Sequence, residues 1–521
     1  MDISSFPSIA RQTCSECKAS KKRCDKLIPM CSRCSRLALN CSYTEGDILD
    51  RIEAGQEPRD AKFDEIFRRL DAIEAHVFSQ NQSAAGIQDG QQSPEETLTE
   101  EANGNVHSHA WSLTPEHLRT ESREDILRGI VLRVLTDNST TVEAVINRYY
   151  EHTHHWLPII PREKAERELQ KFNELHPQLG FSLLIMALHL IVTPYSQHPQ
   201  SRIVSESPWY RTCKYHFAQY VTLTGPLLDT IQAGMLIALF EHTQGLTQEA
   251  LLTLGICARL AYVMNLEDNV AGEYYQRADK ISLEEEEMVL TWWGLILLER
   301  YFNMPPIEVP HQPAIHQKPF QLSFLEPGLA NYPSATSFSY TDPELVKKFM
   351  LELEASRIVA QVQVSLRASR RDNSVSLGGT ELIMSNINEL LDKLGAHQEG
   401  TGHWDGMAVT LGAALQFQYV CYQKTEGETS ELLASIRSII EQFNSLITQR
   451  RIINGFSEID VPPSWISVSY LAVRACQLLA TNGIPNAMED LEMDQFMGLL
   501  EVFAPRYKLA EQCLHLIQSY N

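Results

Sequence analysis

The chain has 521 residues, 44% of them hydrophobic, and a formal net charge of -22. That length and apolar content exclude a small scaffold dependent on staples and predict more than one domain. Residues 1–44 carry eight Lys or Arg against three Asp or Glu, a net of +5, which leaves residues 45–521 at -27. An acidic body repels nucleic acid, so any nucleic-acid contact is expected from the basic head.

The opening "MDISSFPSIARQTC" lacks the apolar core of a secretory signal. The longest apolar run, Phe181 to Val192, is interrupted by Ser182 and His189 and is too short to span a bilayer, so a soluble intracellular protein with no membrane partner is expected. In a reducing compartment, clustered cysteines point to metal rather than to disulfides.

Cys14, Cys17, Cys24, Cys31, Cys34 and Cys41 form C-x2-C-x6-C-x6-C-x2-C-x6-C, the half-motif C-x2-C-x6-C written twice. One tetrahedral zinc would strand two of these thiols, whereas two zincs need eight ligand positions, which six sulfurs fill only if two of them bridge. The repeat makes Cys14 and Cys31 the natural bridging pair. Six thiolates and two Zn2+ ions sum to -2, so the loaded module is nearer +3 than +5. About forty residues with little apolar content cannot fold on core burial, so metal binding should supply the folding free energy. Such zinc is structural, because four sulfurs per ion leave no open position for catalysis.

The two halves differ in charge. "KASKKR" follows Cys17 and supplies Lys18, Lys21, Lys22 and Arg23, whereas the matching "SRLALN" has Arg36 alone. A short helix after Cys14, ending near Lys21, would bring side chains and its last carbonyls to base edges while the other cations meet phosphates. The bland alternative is a zinc clip for protein contacts with a solvated basic loop.

This stretch resembles the DNA-binding domain of the fungal Zn2Cys6 zinc binuclear cluster transcription factors, which share the cysteine spacing, a basic loop after the second cysteine and a proline before the fourth. The resemblance implies bridging by Cys14 and Cys31, Lys21 reading a CGG triplet in the major groove of double-stranded DNA, Lys18 and Arg23 on phosphate, and Pro29 shaping the loop between the halves. Ser20 departs from the pattern, where a basic residue is common; one phosphate contact is thereby in question.

Residues 45–60, broken by Gly55 and Pro58, read as a linker. Phe63, Ile66, Leu70, Ile73 and Val77 then form a heptad seam under three heptads long, with Arg69 and Glu74 at g and the following e. It predicts either a short coiled coil that dimerises the chain through residues 61–78 or an amphipathic helix packed on the body. Residues 79–123, rich in Gln, Ser, Gly and Glu, read as a disordered linker.

Residues 124–521 show long apolar stretches with helical spacing, predicting a large all-helical regulatory domain and a mostly α protein overall. In "ISLEEEEMVLTWWGLILLERYF", Ser282 is a candidate N-cap with Glu285 three residues on, and the acidic run suits the positive end of the helix dipole rather than a metal. "LLDTIQAGMLIALFEHTQG" and "TQEALLTLGICARLAYVMNL" read as two helices about a Gly-containing turn. Residues 142–310 resemble, in the order of these segments, the middle regulatory domain of the same family. Met288 to Thr291 replace the arginines usual before the Trp pair, read as a helix-surface change, and "NMPPIEVP" replaces an expected Gly-Arg-Pro, which would alter an effector or partner surface.

Other constellations have plainer readings. Cys213, Cys257, Cys421, Cys476 and Cys513 read as buried thiols. Glu151, His152, His154 and His155 could present metal ligands, but at a helix end before Pro158 the histidines are better read as favourable charges on the dipole. Met493, Phe496, Met497, Leu500 and Phe503 trace a helix face, a core face or else an acidic activation segment. The sequence shows no H-E-x-x-H, G-x-S-x-G, Walker A loop or Gly-rich dinucleotide turn, and no enzyme is expected. The expected function is a nuclear, sequence-specific DNA-binding transcription factor, an activator contacting the transcription machinery. By resemblance it would regulate a fungal biosynthetic gene cluster for secondary metabolism or a catabolic pathway; the remote alternative is a zinc-dependent interaction module.

Overall fold

The computed structural model describes residues 13–26, 30–37, 39–42, 123–174, 178–193, 204–271, 280–306, 311–315, 335–372, 377–396, 404–425, 429–454, 462–482 and 489–519. The chain divides into two compact units, Met1–Asn105 and Val106–Asn521. Pro29, the seam at 61–78 and the linker predicted over 79–123, apart from Arg123, lie outside the described residues.

In the first unit, α1 (Ser15–Ala19) and α2 (Ser32–Arg36) are each a little over one turn long. Isolated helices of that length do not persist in water, so something else must hold them.

The second unit is helical throughout the described residues, with only two 3-10 turns besides. Its first half runs α3 (Arg123–Asp137), α4 (Val142–His152), α5 (Arg162–Asn173), α6 (Phe181–Val192), α7 (Pro208–Leu223), α8 (Leu228–Thr243), α9 (Thr247–Val263), α10 (Leu266–Ala271) and α11 (Leu283–Phe302). The second runs α12 (Pro343–Asp372), α13 (Leu377–Ala396), α14 (Trp404–Lys424), α15 (Ser430–Asn454), α16 (Ser464–Thr481), α17 (Glu489–Phe503) and α18 (Lys508–Ser519). One continuous apolar core runs through both halves. Every residue of α6 is buried, as is α8 from Asp229 to Thr243, so these are central helices with no solvent face. The 12-residue run that is too short for a bilayer is therefore a core helix, and no described helix is long and apolar enough to cross a membrane.

Sequence signals explain many of the boundaries. Ser282 and Glu285 form a reciprocal capping box at the start of α11: Ser282 Oγ accepts from Glu285 N at 3.3 Å, and Glu285 accepts from Ser282 N at 2.7 Å. Gly245, at φ +75°, makes the turn between α8 and α9 in the left-handed region that glycine tolerates. Those helices approach closely because Gly234 has no side chain: a Cβ there would lie 2.6 Å from the Phe217 ring and against Cys257 Sγ. Phe496, Leu499, Leu500 and Phe503 of α17 are fully buried and Met493 and Met497 pack on them, so that face belongs to the core.

Two expectations are corrected. The change at Met288 to Thr291 is not on a helix surface: Val289, Leu290 and Thr291 are fully buried, and Thr291 Oγ1 lies 3.1 Å from Gln232 Nε2. His154 is not a cation on the dipole of α4. It packs edge-on against Tyr149 and Tyr150, and burial, helped by the nearby Arg162 and His155 charges, lowers its pKa to about 3. A neutral imidazole gains nothing from the negative end of a helix.

Buried carboxylates fasten the helices together. Glu124 of α3 accepts from Gly180 N at 2.9 Å, Ser182 N at 2.7 Å and Tyr220 OH, and so caps α6 from another helix. Glu241 of α8 accepts from Tyr210 OH at 2.6 Å and Lys214 Nζ at 2.5 Å. In the four-glutamate run, Glu286 accepts from Ser339 N and Tyr340 N, and Glu287 accepts from Lys164 Nζ at 2.5 Å. The run starts a helix, as read, and three of its glutamates, Glu284 with Arg167 included, also tie distant segments to that helix.

Candidate metal centre and nucleic-acid interface

The duplicated half-motif is duplicated in three dimensions, with every partner offset by 17 positions. Lys18 N donates to Cys14 O at 3.0 Å and Ser35 N to Cys31 O at 2.9 Å. Ser20 N donates to Glu16 O at 3.0 Å and Leu37 N to Arg33 O at 3.1 Å; Lys22 N donates to Cys17 O at 2.9 Å and Leu39 N to Cys34 O at 3.0 Å. Each short helix is capped by the residue after the last cysteine of the opposite half. Ser15 N donates to Ser42 O at 2.9 Å, and Ser32 N to both oxygens of Asp25 at 3.1 Å. The helices are thus held by exchange between halves, which local sequence could not supply.

That exchange collects all six sulfurs. Cys14, Cys17, Cys24 and Cys31 form one group and Cys14, Cys31, Cys34 and Cys41 a second, with the sulfurs of each group within 4.8 Å of one another. Cys14 and Cys31, 3.8 Å apart, are common to both. Other separations are 3.7 Å for Cys17–Cys31, 3.7 Å for Cys14–Cys34 and 3.9 Å for Cys24–Cys14. Four sulfurs at about 2.3 Å from a zinc ion stand about 3.8 Å apart in a tetrahedron, so the donor set fits two such ions with two shared sulfurs. Cys14, Cys17, Cys31 and Cys34 are fully buried, which leaves those sulfurs closed to solvent.

Without a cation such crowding is costly. Burial pushes the Cys14 thiol well up and Cys34 to about 12. Cys31 is opposed by burial too, yet hydrogen bonds, first from Cys34 N and then from the neighbouring thiols, bring it down to about 6. Bound divalent ions would supply the positive charge that such a set of thiol ligands calls for.

The four cations read as the contact surface lie together. Lys18 is in the last turn of α1, Ser20 closes that helix, and Lys21 turns the chain at φ 51°, with Lys22 following directly. Lys18, Lys21, Lys22 and Arg23 are all exposed. The left-handed turn at Lys21 is notable because a non-glycine residue there carries strain that its surroundings must hold. Here the Lys22 N–H bond to Cys17 O holds it.

Two functional residues were missed by sequence reasoning. Asp25 caps α2, and its only signal was its place directly after the third cysteine. Arg33 of α2 reaches back to the first half, donating from Nη1 to Cys17 Sγ at 3.6 Å and to Ser20 Oγ at 3.4 Å. The Cys17 sulfur raises the pKa of this guanidinium further, with a weaker pull from Glu16.

In the body, Cys213, Cys257, Cys421, Cys476 and Cys513 are buried thiols, and burial pushes Cys421 to about 11 and Cys513 to about 12. Among the described residues, only the cysteine clusters bring metal-binding side chains together, so the histidines at 152–155 do not form a centre. A concavity of about 470 Å3 between α9 and the segment after α11 is lined by Leu251, Leu254, Asn303, Glu299 and His311. Glu299 there accepts from Ala314 N at 2.5 Å and Ile315 N at 3.0 Å, so its carboxylate anchors backbone.

Comparison with known proteins gives two family matches along the chain. Residues 12–47 match the Fungal Zn(2)-Cys(6) binuclear cluster domain, and residues 146–305 match the Fungal specific transcription factor domain. The chain is 23% identical over 366 residues to the depudecin biosynthesis cluster-specific transcription activator DEP6 of Fusarium langsethiae, covering 56% of each protein. It is also 26% identical over 146 residues to transcription factor BOA15 of Botryotinia fuckeliana (strain B05.10), covering 28% of this chain and 76% of that relative. The chain thus spans little more than half of the first of these relatives. The matches are to transcription factors, not to enzymes, and the cluster domain is one that binds two zinc ions.

Proposed function

We propose that this fungal transcription factor, with its zinc binuclear cluster domain and its fungal-specific transcription factor domain, binds DNA sequence-specifically through residues 1–44 and activates a biosynthetic gene cluster. Its six cluster cysteines hold both zinc ions, with Cys14 and Cys31 bridging. Zinc, when bound, supplies charge balance and the cross-link that folds the module. Lys21, at the turn that ends α1, reads a CGG-type half-site together with the last carbonyls of the helix. Lys18, Lys22 and Arg23 contact phosphate.

The observation that carries this reading is the pair of four-sulfur groups sharing Cys14 and Cys31, with the exposed cations Lys18, Lys21, Lys22 and Arg23 on the first half of the repeat against Arg36 on the second. Symmetric backbone with asymmetric charge suits one half to scaffold and the other to DNA. Dimerisation through 61–78 and action in the nucleus on the transcription machinery complete the proposal. The name of the depudecin-cluster relative, a biosynthesis cluster-specific activator, supports a biosynthetic rather than a catabolic pathway.

The test is selection of bound sites from a random DNA library by the full chain, with zinc and with a chelator. Paired CGG triplets recovered only with zinc are expected, their separation giving the dimer spacing. A single triplet would remove the dimer, and no enriched sequence from zinc-loaded, folded protein would leave an interaction module as the better account.

A further inference from the structure

The basic strip of the first half has a gap. Between Lys18 and Lys21 stand Ala19 and Ser20, neither charged. Ser20 donates its hydroxyl to Glu16 O at 2.7 Å and so turns its side chain back onto α1. The gap is covered from the other half of the module: Arg33 Nη1 lies 3.4 Å from Ser20 Oγ and 3.6 Å from Cys17 Sγ. By the 17-residue offset, the position equivalent to Arg33 in the first half is Glu16, so this crossing has no counterpart of the same charge.

A guanidinium presents five N–H donors in a planar fork. Nη1 is taken by the sulfur and the hydroxyl, while Nε and Nη2 have no partner among the described residues. The group is half-buried and its position is set by those contacts, so it would lose less freedom on meeting a phosphate than a lysine on a mobile stem. Glu16 offsets part of its charge, and the contact with Ser20 brings the group to the interval between Lys18 and Lys21.

We propose that Arg33 is a DNA-contacting residue, delivered from the second half-motif to supply the phosphate contact that the uncharged Ala19–Ser20 interval leaves open. This rests on the DNA-binding reading above. It makes the contact surface a product of both halves, so that only the zinc-folded module presents it complete. A structural role confined to neutralising the Cys17 sulfur is the competing account.

The experiment uses the full zinc-loaded chain with the variants Arg33→Gln and Ser20→Lys/Arg33→Gln, on a labelled mixed-sequence duplex and on a duplex carrying CGG triplets, across a range of salt. Arg33→Gln should lower the slope of log K against log salt by about 0.9 for each bound chain. Both duplexes should lose affinity alike, and zinc content should stay at the wild-type level. Moving the charge to position 20 should restore the slope. An unchanged slope in Arg33→Gln overturns the proposal, and so does a slope that falls only in step with lost zinc. Wild-type protein that binds neither duplex at low salt would overturn the DNA-binding reading itself, and this inference with it.

Discussion

Replacing Lys164 with Met tests whether the large helical domain is held by buried charge. Lys164 of α5 has a side chain 4% exposed, and its Nζ lies 2.7 Å from Asp229 of α8 and 2.5 Å from Glu287 of α11. Gln232 Nε2 adds a bond to Glu287 at 3.0 Å and one to Ile159 O at 2.8 Å. Burial works against the lysine's charge, but the two carboxylates outweigh it and raise the pKa to about 12. Burial raises both acids, and Lys164 is what limits the rise. Methionine would fill similar space and leave two buried acids without their cation, which for a broken buried pair costs about 3–5 kcal/mol. With about 2.1 cal/mol/K per residue of unfolding entropy over some 416 residues, the melting temperature should fall by roughly 3–6 °C at neutral pH.

The sign of the pH dependence follows. A carboxyl whose folded pKa lies above its unfolded value binds more protons in the folded state, so its contribution to stability is present at low pH and lost as pH rises through the folded pKa. Without Lys164 both acids shift further up, so the deficit against wild type should shrink as pH falls from 7 towards about 5. Lys164→Met/Glu287→Gln should recover part of the deficit at pH 7 by removing one charge. Melting followed by circular dichroism of the full chain at both pH values reads this. A variant that melts with wild type at pH 7, or shows the same deficit at pH 5, would refute the argument.

Other perturbations separate metal, base and packing roles. Cys14→Ser removes a sulfur common to both groups and should strip both ions, whereas Cys24→Ser should leave about one ion per chain on the Cys34–Cys41 side; metal analysis after gel filtration reads this, and equal loss counts against bridging. Lys21→Ala should cost about 1–3 kcal/mol on a CGG duplex and little on mixed DNA, while Lys18→Ala should weaken both and reduce the salt slope by about 1. Fluorescence anisotropy distinguishes them, and equal loss on both duplexes for Lys21→Ala removes its assigned role. Gly234→Ala places a methyl against the Phe217 ring and should destabilise by about 1–3 kcal/mol, read as a lower urea midpoint at unchanged slope.

What could be read from sequence was what the chain encodes by spacing. The cysteine repeat announced a shared-ligand centre because tetrahedral valence allows few ways to use six sulfurs. Ser282 and Glu285, or Gly245 between two apolar stretches, announced local geometry that neighbours along the chain decide. Glu286, Glu287 and Arg33 resisted the same treatment. Their partners lie at Ser339, Lys164 and Ser20, and nothing periodic links a carboxylate to an amine 123 positions away. His154 misled because a helix terminus is a local cue, whereas its burial against Tyr149 and Tyr150 depends on how the following segment folds back.

Charge in this protein is sorted by depth as well as by position along the chain. Glu124, Glu241, Glu286, Glu287 and Glu299 are buried in the body, and each is engaged by backbone N–H groups, hydroxyls, an amide or a lysine. Those carboxylates orient helices against one another because a hydrogen-bonded buried charge tolerates little displacement of its donors. Glu168, Asp229, Glu352, Glu354 and Asp405 are buried as well, and these ten acids are too few to account for the body's net of -27. Its outward field therefore opposes DNA, and attraction is left to a basic head whose cations are concentrated on the first half of a symmetric cluster. On the function proposed above, such a division makes affinity steeply dependent on salt and makes the zinc-built scaffold, which sets where Lys18 to Arg23 and Arg33 stand, the part of the chain on which recognition turns.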